Sequence, residues 1–469
     1  GLTDAESQHQ RRMLANFIPA FVAEKYRNDL FYGTIEGSVL ISDISGFTEL
    51  TQSLFSYGKT GAEELSEILN GFFAEMIERV YRNGGFVANF AGDAFTAVFP
   101  SDNGPRALKT AEEIGKRIPE HVSTESGTCR TGIKSGIAGG SITWSIYGSD
   151  PFTYLFSGEP VKRAAELQSS AEVGGIARSS EAELGEGSGR NAAGSSNWFS
   201  EVDLKVQERF VNPVYMEKAE APEFRDVASV FTSYRDIEDL NRFADAVMGK
   251  ARALGGYFNL MDCGDKGNVV LTIFGAPLTS ERNVNRSLEF ALGLREEFGE
   301  KVSSGISHGR VFAGFIGSPG IRGHYTVIGQ QVNTAARLME KCSPGQVLVE
   351  GSIASAVEGQ YSFSSECGVT SRGAGPPKWF SAGRLTEVSS SLSFESDFVG
   401  REGEIGRTEE FLRESFSENR TSGLLISGEA GIGKTRFACH LQSLLPETKL
   451  IYLKCDEILS KSLNPIESF

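Results

Sequence analysis

The stretch TVIGQQVNTAARL (326–338) has an earlier counterpart in YLFSGEPVKRAAEL (154–167), and this pair decides how the chain is organised. In both stretches a strand-like run reaches a glycine, Gly329 or Gly158, and a helical pattern follows. A recurrence this far along the chain predicts a duplicated domain rather than the short units of a solenoid.

Two further pairs of segments repeat in the same order. The first copies are NGGFVANFAGDAFTAVF (83–99) and IKSGIAGGSI (133–142), and the second are LGGYFNLMDCGDKGNVVLTIFG (254–275) and VSSGISHGRV (302–311). Strand-like runs alternate with helical stretches in each copy, which is typical of α/β or α+β domains. We therefore predict an N-terminal helix at 1–30 and two copies of one domain at 31–218 and 227–386. Duplicated domains commonly pack around a pseudo-twofold axis with ligand sites at the interface, although a repeat can also be purely structural.

The composition is that of an ordinary folded protein. Of 469 residues, 40% are hydrophobic and 23% charged, and the formal net charge is −15. No basic cluster of the kind that binds nucleic acid or anionic membranes is present, so we expect no nucleic-acid partner. No apolar run approaches the roughly 20 residues that a membrane-spanning helix needs. The six cysteines show no paired spacing, so we expect a reducing, cytoplasmic location.

A third region follows a serine-rich linker at 387–397. Within 398–469, the predicted strand Leu424–Ser427 leads into a glycine-rich loop and then a helix, the setting of a nucleotide-binding P-loop. Its backbone N–H groups would surround phosphate oxygens, its lysine would reach the β/γ-phosphates, and its threonine would contact Mg²⁺. The loop residues are Gly428, Gly433, Lys434 and Thr435. Only 34 residues follow, so we expect an incomplete P-loop domain.

Two aspartates in the first copy are candidate metal ligands. Asp43 follows an apolar strand, and Asp93 lies at the predicted tip of a hairpin. Carboxylates at two strand ends could converge on Mg²⁺, which takes a few carboxylates together with substrate phosphate oxygens. Asp93 could instead serve only the Gly-Asp turn.

In the second copy, Asn333 and Arg337 lie four residues apart and so share one helix face. They form either a solvated polar edge or a pair directed at a phosphate-bearing ligand.

Three motifs, SDISGFTELT, NFAGDAF and YTVIGQQVNTAARL, together resemble class III nucleotidyl cyclases. The tandem pair followed by FVGREGE and the P-loop is similar to the soluble adenylyl cyclases. The resemblance implies an α+β fold, with two ferredoxin-like cyclase domains packed as a pseudo-symmetric heterodimer and followed by the start of an α/β P-loop NTPase domain.

The resemblance also implies a role for each matching residue. Asp43 and Asp93, with the backbone of Ile44, match the sites of two Mg²⁺ or Mn²⁺ ions. The backbone N–H groups of Ile44, Ser45, Gly46 and Phe47 match the triphosphate-binding turn, and Lys134 matches a basic phosphate contact. Thr326 matches a base-recognising residue, Asn333 the ribose-positioning asparagine, and Arg337 the arginine that stabilises the α-phosphate.

The implied activity is conversion of ATP to 3′,5′-cyclic AMP and pyrophosphate by a monomer with a pseudo-dimeric core. One departure is Leu260, which occupies the position of an adenine-reading lysine and cannot hydrogen-bond to a base. The alternative is therefore a non-catalytic nucleotide sensor that regulates the C-terminal module. The mirror-image site is predicted to be inactive, with Tyr234 at the metal position and Lys162 and Ala165 at the asparagine and arginine positions.

Overall fold

The structure is a computed structural model. It describes residues 16–102, 104–179, 198–212, 222–264, 266–279, 282–357, 360–367, 378–384, 400–417, 423–427, 436–437 and 440–441. The chain divides into two compact units, 1–384 and 385–469, which we describe separately.

The first half of the larger unit is built on a six-stranded sheet. In chain order its elements are α1 (Ala20–Arg27), β1 (Tyr32–Ser45), α2 (Phe47–Leu54), α3 (Gly58–Arg82), β2 (Phe86–Ala91), β3 (Ala94–Pro100), α4 (Pro105–Gly115), β4 (His121–Thr124), β5 (Gly127–Arg130), β6 (Gly132–Gly148), β7 (Phe152–Ser157), α5 (Glu159–Ser170), β8 (Ile176–Arg178) and α6 (Leu204–Gln207). The sheet order is β2–β3–β1–β6–β7, with β8 parallel to β6, while β4 and β5 form a separate hairpin.

The second half is built on an eight-stranded sheet. Its elements are β9 (Glu223–Tyr234), α7 (Leu240–Ala253), β10 (Tyr257–Gly264), β11 (Gly267–Phe274), α8 (Asn283–Phe298), β12 (Val302–Ser318), β13 (Arg322–Ile328), α9 (Gln330–Lys341), β14 (Val347–Glu350), α10 (Gly351–Ala356), β15 (Ser362–Cys367) and β16 (Lys378–Gly383). The order is β10–β11–β9–β12–β14–β16–β15, and β13 pairs with β12.

The two sheets repeat each other strand for strand. The central strand β1 lies between β3 and β6, as β9 lies between β11 and β12. Side-chain details repeat as well, because the hydroxyls of Ser42 and Ser135 lie 2.9 Å apart and those of Thr232 and Ser304 lie 2.9 Å apart. The chain thus contains one α/β arrangement twice, with two extra strands in the second copy.

A glycine in each sheet lets a helix lie directly on a strand. A Cβ on Gly136 of β6 would come within 2.1 Å of the carbonyl oxygen of Ala164 in α5. A Cβ on Gly305 of β12 would come within 2.3 Å of the carbonyl oxygen of Ala335 in α9. The position of α9, which carries two candidate site residues, therefore depends on a glycine.

The core of the first half lies between its sheet and α3. The buried face of α3 has helical spacing and is formed by Leu65, Leu69, Phe73, Met76, Ile77 and Val80. Each such side chain contributes about 1.5–3 kcal/mol through burial.

The halves contact each other reciprocally. Helix α3 packs on β12 of the second half, and α7 packs on β6 of the first. In the first contact the Asn70 amide donates to the carbonyl oxygen of Phe315 (3.2 Å) and accepts from the N–H of Gly317 (2.9 Å). In the second, the carboxylate of Asp245 accepts from the N–H of Ser149 (2.8 Å). Each half therefore contributes one helix that packs on a strand of the other half.

The N-terminal helix is shorter than predicted. It begins at Ala20, after Pro19, and ends at Arg27, while Asn16 bridges to Arg322 of β13 in extended form. The physical reason is that a residue before proline disfavours the helical conformation, and that the carbonyl oxygen of Asn16 accepts from the N–H of Gly323 (3.0 Å). Residues 1–15 lie outside the described part of the chain.

A fully buried arginine joins the N-terminal segment to both halves. The Arg322 guanidinium donates to the carbonyl oxygens of Asn16 (3.1 Å) and Gly323 (2.6 Å) and to the hydroxyl of Tyr154 (2.8 Å). Two residues on, the ring of His324 stacks on Phe90. Burial, and secondly the charge of Arg322, lowers the pKa of His324 to about 3, so this imidazole is neutral.

The neutral histidine predicts loss of stability in acid. Unfolded histidine gains a proton below about pH 6.5, whereas folded His324 does so only near pH 3, so stability falls as the pH drops through this window. Between pH 7 and pH 5 the loss amounts to about 2 kcal/mol for one histidine. We expect His324→Gln to remove this part of the pH dependence in urea unfolding. The exposed His121→Gln serves as control, and an unchanged dependence in His324→Gln would contradict the prediction.

The second unit is described only in part. It contains helix α11 (Glu402–Ser417). Residues 423–427 are irregular, so the predicted strand Leu424–Ser427 is wrong for this structure; a strand needs a hydrogen-bonded neighbour, and none of the described residues of this unit provides one. The predicted loop residues Gly428, Gly433, Lys434 and Thr435 lie outside the described residues. Among the described helices, none has the length and apolar character needed to cross a bilayer.

Candidate active site

The two candidate metal-binding aspartates lie side by side at one end of the first sheet. Asp43 is near the end of β1, and Asp93 lies in the turn between β2 and β3. In the β1–β3 ladder Asp43 is paired with Ala94, the residue next to Asp93. The N–H of Ile44 also donates to the carbonyl oxygen of Asp93 (3.3 Å). Strand pairing and this turn contact therefore bring both carboxylates to the same end of the first sheet.

The electrostatics of this pair suit a divalent cation. Burial, and secondly the charge of Asp43, raises the pKa of Asp93 to about 8, and Lys266 of the second half opposes the shift. A cation between the carboxylates would relieve the cost of placing two like charges together. The described residues hold no group of three or more His, Cys, Asp or Glu arranged for a metal. Two carboxylates and a backbone carbonyl such as that of Ile44 fit Mg²⁺, which completes its shell with water and substrate phosphates.

The turn after Asp43 has the geometry of an anion-binding turn. Gly46 has φ = 96°, and a Cβ there would lie 2.2 Å from the carbonyl oxygen of Arg130, so only glycine fits. Helix α2 begins at Phe47, whose fully buried ring anchors the turn. The first N–H groups of a helix have no partner within it and are directed outward, with a favourable dipole for phosphate.

Lys134 lies beside this turn. In the β1–β6 ladder it is directly opposite Asp43, and directly opposed residues in an antiparallel pair present their side chains on the same face. Lys134 and Ser45 are both partly exposed. A lysine, a carboxylate and outward N–H groups thus share one end of the sheet.

Helix α9 of the second half meets this end of the first half. Asn333 and Arg337 are both exposed and one turn apart, while the opposite face of α9 is buried through Val332, Ala335, Ala336, Leu338 and Met339. The Asn333 amide donates to the hydroxyl of Thr48 (3.4 Å), in the first turn of α2. Next to it, Gln52 hydrogen-bonds to Gln330. Asn333 of the second half therefore lies next to the predicted turn of the first, and Arg337 is one helical turn further along α9.

The two residues predicted to contact the base are buried in the second half. Leu260 is 6% exposed and Thr326 is fully buried. Strand alternation predicts that Asn259 faces away from Leu260, and this is wrong because β10 has a bulge between Phe258 and Leu260. Leu260 is paired with Leu271, and Asn259 is the extra residue of the bulge. Two successive residues of a bulge can present their side chains on the same face.

In the mirror-image site, the residue equivalent to the metal-binding Asp43 is one position earlier than the sequence predicts. Because the hydroxyls of Thr232 and Ser42 make equivalent contacts, the residues that follow them, Ser233 and Asp43, are equivalent. The predicted equivalent, Tyr234, is therefore wrong. The shift arises because the two copies of this strand share too few residues for the sequence alone to fix their register. In either case the mirror site lacks the carboxylate.

The arginine position of the mirror site is also shifted. Helices α5 and α9 each begin one residue after a glycine, so the fourth residues, Lys162 and Asn333, are equivalent. The eighth residues, Glu166 and Arg337, are equivalent too, and the predicted Ala165 is wrong. An acidic residue thus replaces the arginine, which makes the mirror site still less suited to phosphate.

Two neighbours of the site are not signalled by the sequence. Thr48 contacts Asn333 across the halves, and Lys266 is close enough to Asp93 to lower its pKa. Thr48 is an ordinary residue of a helix first turn, and Lys266 lies in a loop without a counterpart in the first copy. Only the packing of the two halves brings them to the site.

Comparison with known proteins gives the family. Residues 235–381 match the model of the adenylate and guanylate cyclase catalytic domain. The adenylate cyclases type 10 of Mus musculus and Homo sapiens are each 24% identical, over 65% and 66% of this chain and 24% of their own length. An uncharacterised protein of Mycobacterium tuberculosis is 34% identical over 32% of this chain and 25% of its own length.

Solved structures include an adenylyl cyclase of P. aeruginosa, 18% identical over 35% of this chain and 96% of its own, with a TM-score of 0.32. A class III adenylyl cyclase-like ATP-binding protein from Pseudomonas aeruginosa is 13% identical over 69% of this chain and 85% of its own, with a TM-score of 0.49. The chain spans about a quarter of the length of its first curated relatives. The family match and these relatives show that the chain contains a class III adenylate and guanylate cyclase catalytic domain and is homologous to the adenylate cyclases type 10.

Proposed function

We propose that this chain is an adenylyl cyclase with one composite active site between its two halves. The observation that carries the proposal is the contact of Asn333 with Thr48, because it brings α9 of the second half to the end of β1 in the first. The Asp43 and Asp93 carboxylates, the turn at Gly46, Asn333 and Arg337 then surround one space. The adenylate cyclases type 10, with 24% identity, support ATP as substrate.

The residues of the chain suit an internal phosphoryl transfer. Two divalent ions, Mg²⁺ or Mn²⁺, would be held by Asp43, Asp93 and the Ile44 carbonyl, and would supply a lowered pKa of the 3′-hydroxyl and neutralisation of phosphate charge. The amides from Ile44 to Phe47, with Lys134, would bind the β- and γ-phosphates.

The second half would supply ribose and α-phosphate contacts. Asn333 would orient the ribose so that its 3′-oxygen lies in line with the α-phosphorus. That oxygen loses its proton and bonds to phosphorus, while the bond to the bridging oxygen of the β-phosphate breaks and pyrophosphate leaves. Arg337, whose planar group spans two oxygens, would stabilise the charge that develops on the α-phosphate.

The arrangement is proposed as a pseudo-dimer within one chain, active at one of its two related sites. The reciprocal packing of α3 on β12 and α7 on β6 supports the pseudo-twofold relation. Ser233 and Glu166 leave the related site without a metal carboxylate and without a phosphate-binding arginine. Because the tandem halves supply both sides of the interface, a second chain is not required.

Leu260 favours a second candidate, a nucleotide sensor without catalysis. Its buried apolar side chain offers no hydrogen bond to a base. The test measures cyclic nucleotide formed from ATP and from GTP, with Mg²⁺ or Mn²⁺, by wild type and Leu260→Lys. Product from wild type supports the cyclase. Product only from Leu260→Lys, with nucleotide bound by both proteins, would replace the cyclase by the sensor.

Substitution of the equivalent glycines Gly305 and Gly136 can distinguish an effect on catalytic positioning from an effect on folding stability. Alanine at 305 or 136 would meet the backbone of α9 or α5 at less than 2.5 Å, and each change should cost about 1–3 kcal/mol of folding free energy. Only Gly305→Ala moves the helix that holds Asn333 and Arg337. Since a displacement of about 1 Å can cost 10²-fold in rate, we expect a loss of that order in kcat for Gly305→Ala.

Gly136→Ala is the matched control, because α5 lies at the incomplete site. It should lower the melting temperature to a similar extent and keep cyclase activity close to that of wild type. Equal losses of activity in both variants would show that α9 is not positioned for catalysis as we describe.

A further inference from the structure

We propose that Asn259, together with Thr326, selects adenine over guanine in place of the missing lysine. This inference rests on the proposed function and deepens it by assigning the base. The starting observation is that Asn259 is 6% exposed and Thr326 fully buried, yet the Oδ1 atom of Asn259 and the Oγ1 atom of Thr326 have no hydrogen-bond partner among the described residues. Other buried atoms, such as the Thr272 hydroxyl, also lack a partner, but these two belong to adjoining segments at the proposed base-reading position, and buried polar atoms are usually satisfied. Together they point to an absent ligand.

The bulge in β10 gives Asn259 its direction. Without it, alternation would turn Asn259 away from the face of Leu260. With it, Asn259 is the extra residue next to Leu260, which is paired with Leu271, and the two successive residues can share the face that carries the base-reading position. The first half has a bulge at the matching place in β2, where Ala88 is the extra residue. The backbone feature is therefore shared by both copies, and the amide is present only in the copy that carries Asn333 and Arg337.

The orientation of the Asn259 amide is fixed by its neighbour. Its Nδ2 donates to the carbonyl oxygen of Tyr325 (2.9 Å), the residue before Thr326. A flipped amide would direct oxygen at oxygen, so Nδ2 must face the carbonyl. Oδ1 is left as an acceptor that cannot become a donor. This contact also brings the Asn259 side chain next to the base-reading segment of β13, although β10 and β13 are not neighbours in the sheet.

A fixed acceptor beside a hydroxyl is complementary to the adenine edge. Adenine presents a 6-amino donor and the N1 acceptor, which match Oδ1 of Asn259 and the hydroxyl of Thr326. Guanine presents O6, an acceptor, where adenine has its amino group. Oxygen would then face oxygen at Asn259, which costs the complex a hydrogen bond and leaves a buried acceptor unpaired.

The experiment measures equilibrium binding by calorimetry with Mg²⁺. The ligands are the 3′-deoxy forms of ATP, GTP and purine riboside triphosphate; they lack the attacking hydroxyl, and the last also lacks the 6-amino group. All proteins carry Lys434→Ala so that the P-loop does not contribute, and wild type here means the chain with this change alone. Wild type should bind 3′-deoxy-ATP about tenfold more tightly than the other two ligands, the value of one hydrogen bond.

In Asn259→Ala this preference should fall to about one. The matched control is Thr272→Val, which removes another buried, unpartnered hydroxyl from the neighbouring strand; it should keep the wild-type preference. If Asn259→Ala does not fold, Thr326→Val replaces it and should lose the preference for 3′-deoxy-ATP over its 1-deaza analogue.

Two results would overturn the inference in distinguishable ways. If wild type binds the three ligands equally, or if Asn259→Ala keeps the preference, the nucleotide site stands and Asn259 does not select the base. If wild type binds none of them, the proposed function fails, and the inference fails with it.

Discussion

Asp43→Asn should abolish nearly all cyclic AMP formation, with a loss in kcat of about 10³-fold or more. The carboxylate is one of two at the proposed metal site, and charge stabilisation by bound ions contributes several kcal/mol to such reactions. Asparagine has nearly the same shape and is neutral, so the change removes charge without opening a cavity. The measurement is initial rate against Mn²⁺ concentration, because weakened metal binding shifts the dependence to higher metal.

The duplication provides the control for this variant. Ser233 occupies the equivalent position on β9, and Ser233→Ala should leave the rate unchanged. Stability of the metal-free protein should not fall in Asp43→Asn, since the charge of Asp43 contributes to raising the pKa of Asp93. Activity close to that of wild type in Asp43→Asn, with intact folding, would remove Asp43 from the mechanism.

Arg337→Ala should lower kcat by about 10²–10³-fold, which is typical for loss of one group that stabilises transition-state charge. Arg337 is exposed on α9, so the substitution creates no core cavity. Because the contact strengthens as charge develops on the α-phosphate, kcat and kcat/KM should fall together. Arg337→Lys should recover only part of the loss, since an ammonium group cannot span two oxygens.

Glu166→Ala is the control for Arg337, because Glu166 occupies the same place on α5. It should have no effect on either kinetic constant. A rise in KM with kcat unchanged in Arg337→Ala would show that the arginine binds substrate without acting in the chemical step.

Much of the fold follows from the repeat. The strand–glycine–helix pattern around Gly329 and Gly158 predicts two related domains, and the structure has two sheets of the same order. The sequence also predicts helical stretches at Gly61–Val80 and Ser287–Phe298, and the structure has α3 and α8 there, with ends that differ by four residues at most. The predicted class III cyclase domain is confirmed by the family match over residues 235–381.

The sequence-based predictions are wrong where a shift of one residue changes which side chain faces the site. The bulge at Asn259 reverses its face, and alternation alone cannot reveal an extra residue in a strand. The shift from Tyr234 to Ser233 comes from aligning two short, divergent strand segments, and the hydrogen-bond register of the strands settles it. The shift from Ala165 to Glu166 has a different origin, because the alignment of Gly158 with Gly329 already pairs Glu166 with Arg337 in the sequence.

The site itself could be predicted only in parts. The sequence places Asp43 and Asp93 at the ends of predicted strands. It also places Asn333 and Arg337 on one face of a predicted helix. Whether the two aspartates of the first half lie near Asn333 and Arg337 of the second depends on how the halves pack. No local sequence pattern encodes that packing. The roles of these residues, and of the P-loop at Lys434, remain predictions.

The most direct test of the central claim measures the products formed from ATP by the full chain with Mn²⁺. We expect cyclic AMP and pyrophosphate in equal amounts, formed by wild type and by Lys434→Ala but not by Asp43→Asn. Equal amounts mark an internal transfer at the composite site. ADP and phosphate without cyclic AMP, or bound ATP that stays unchanged, would contradict it.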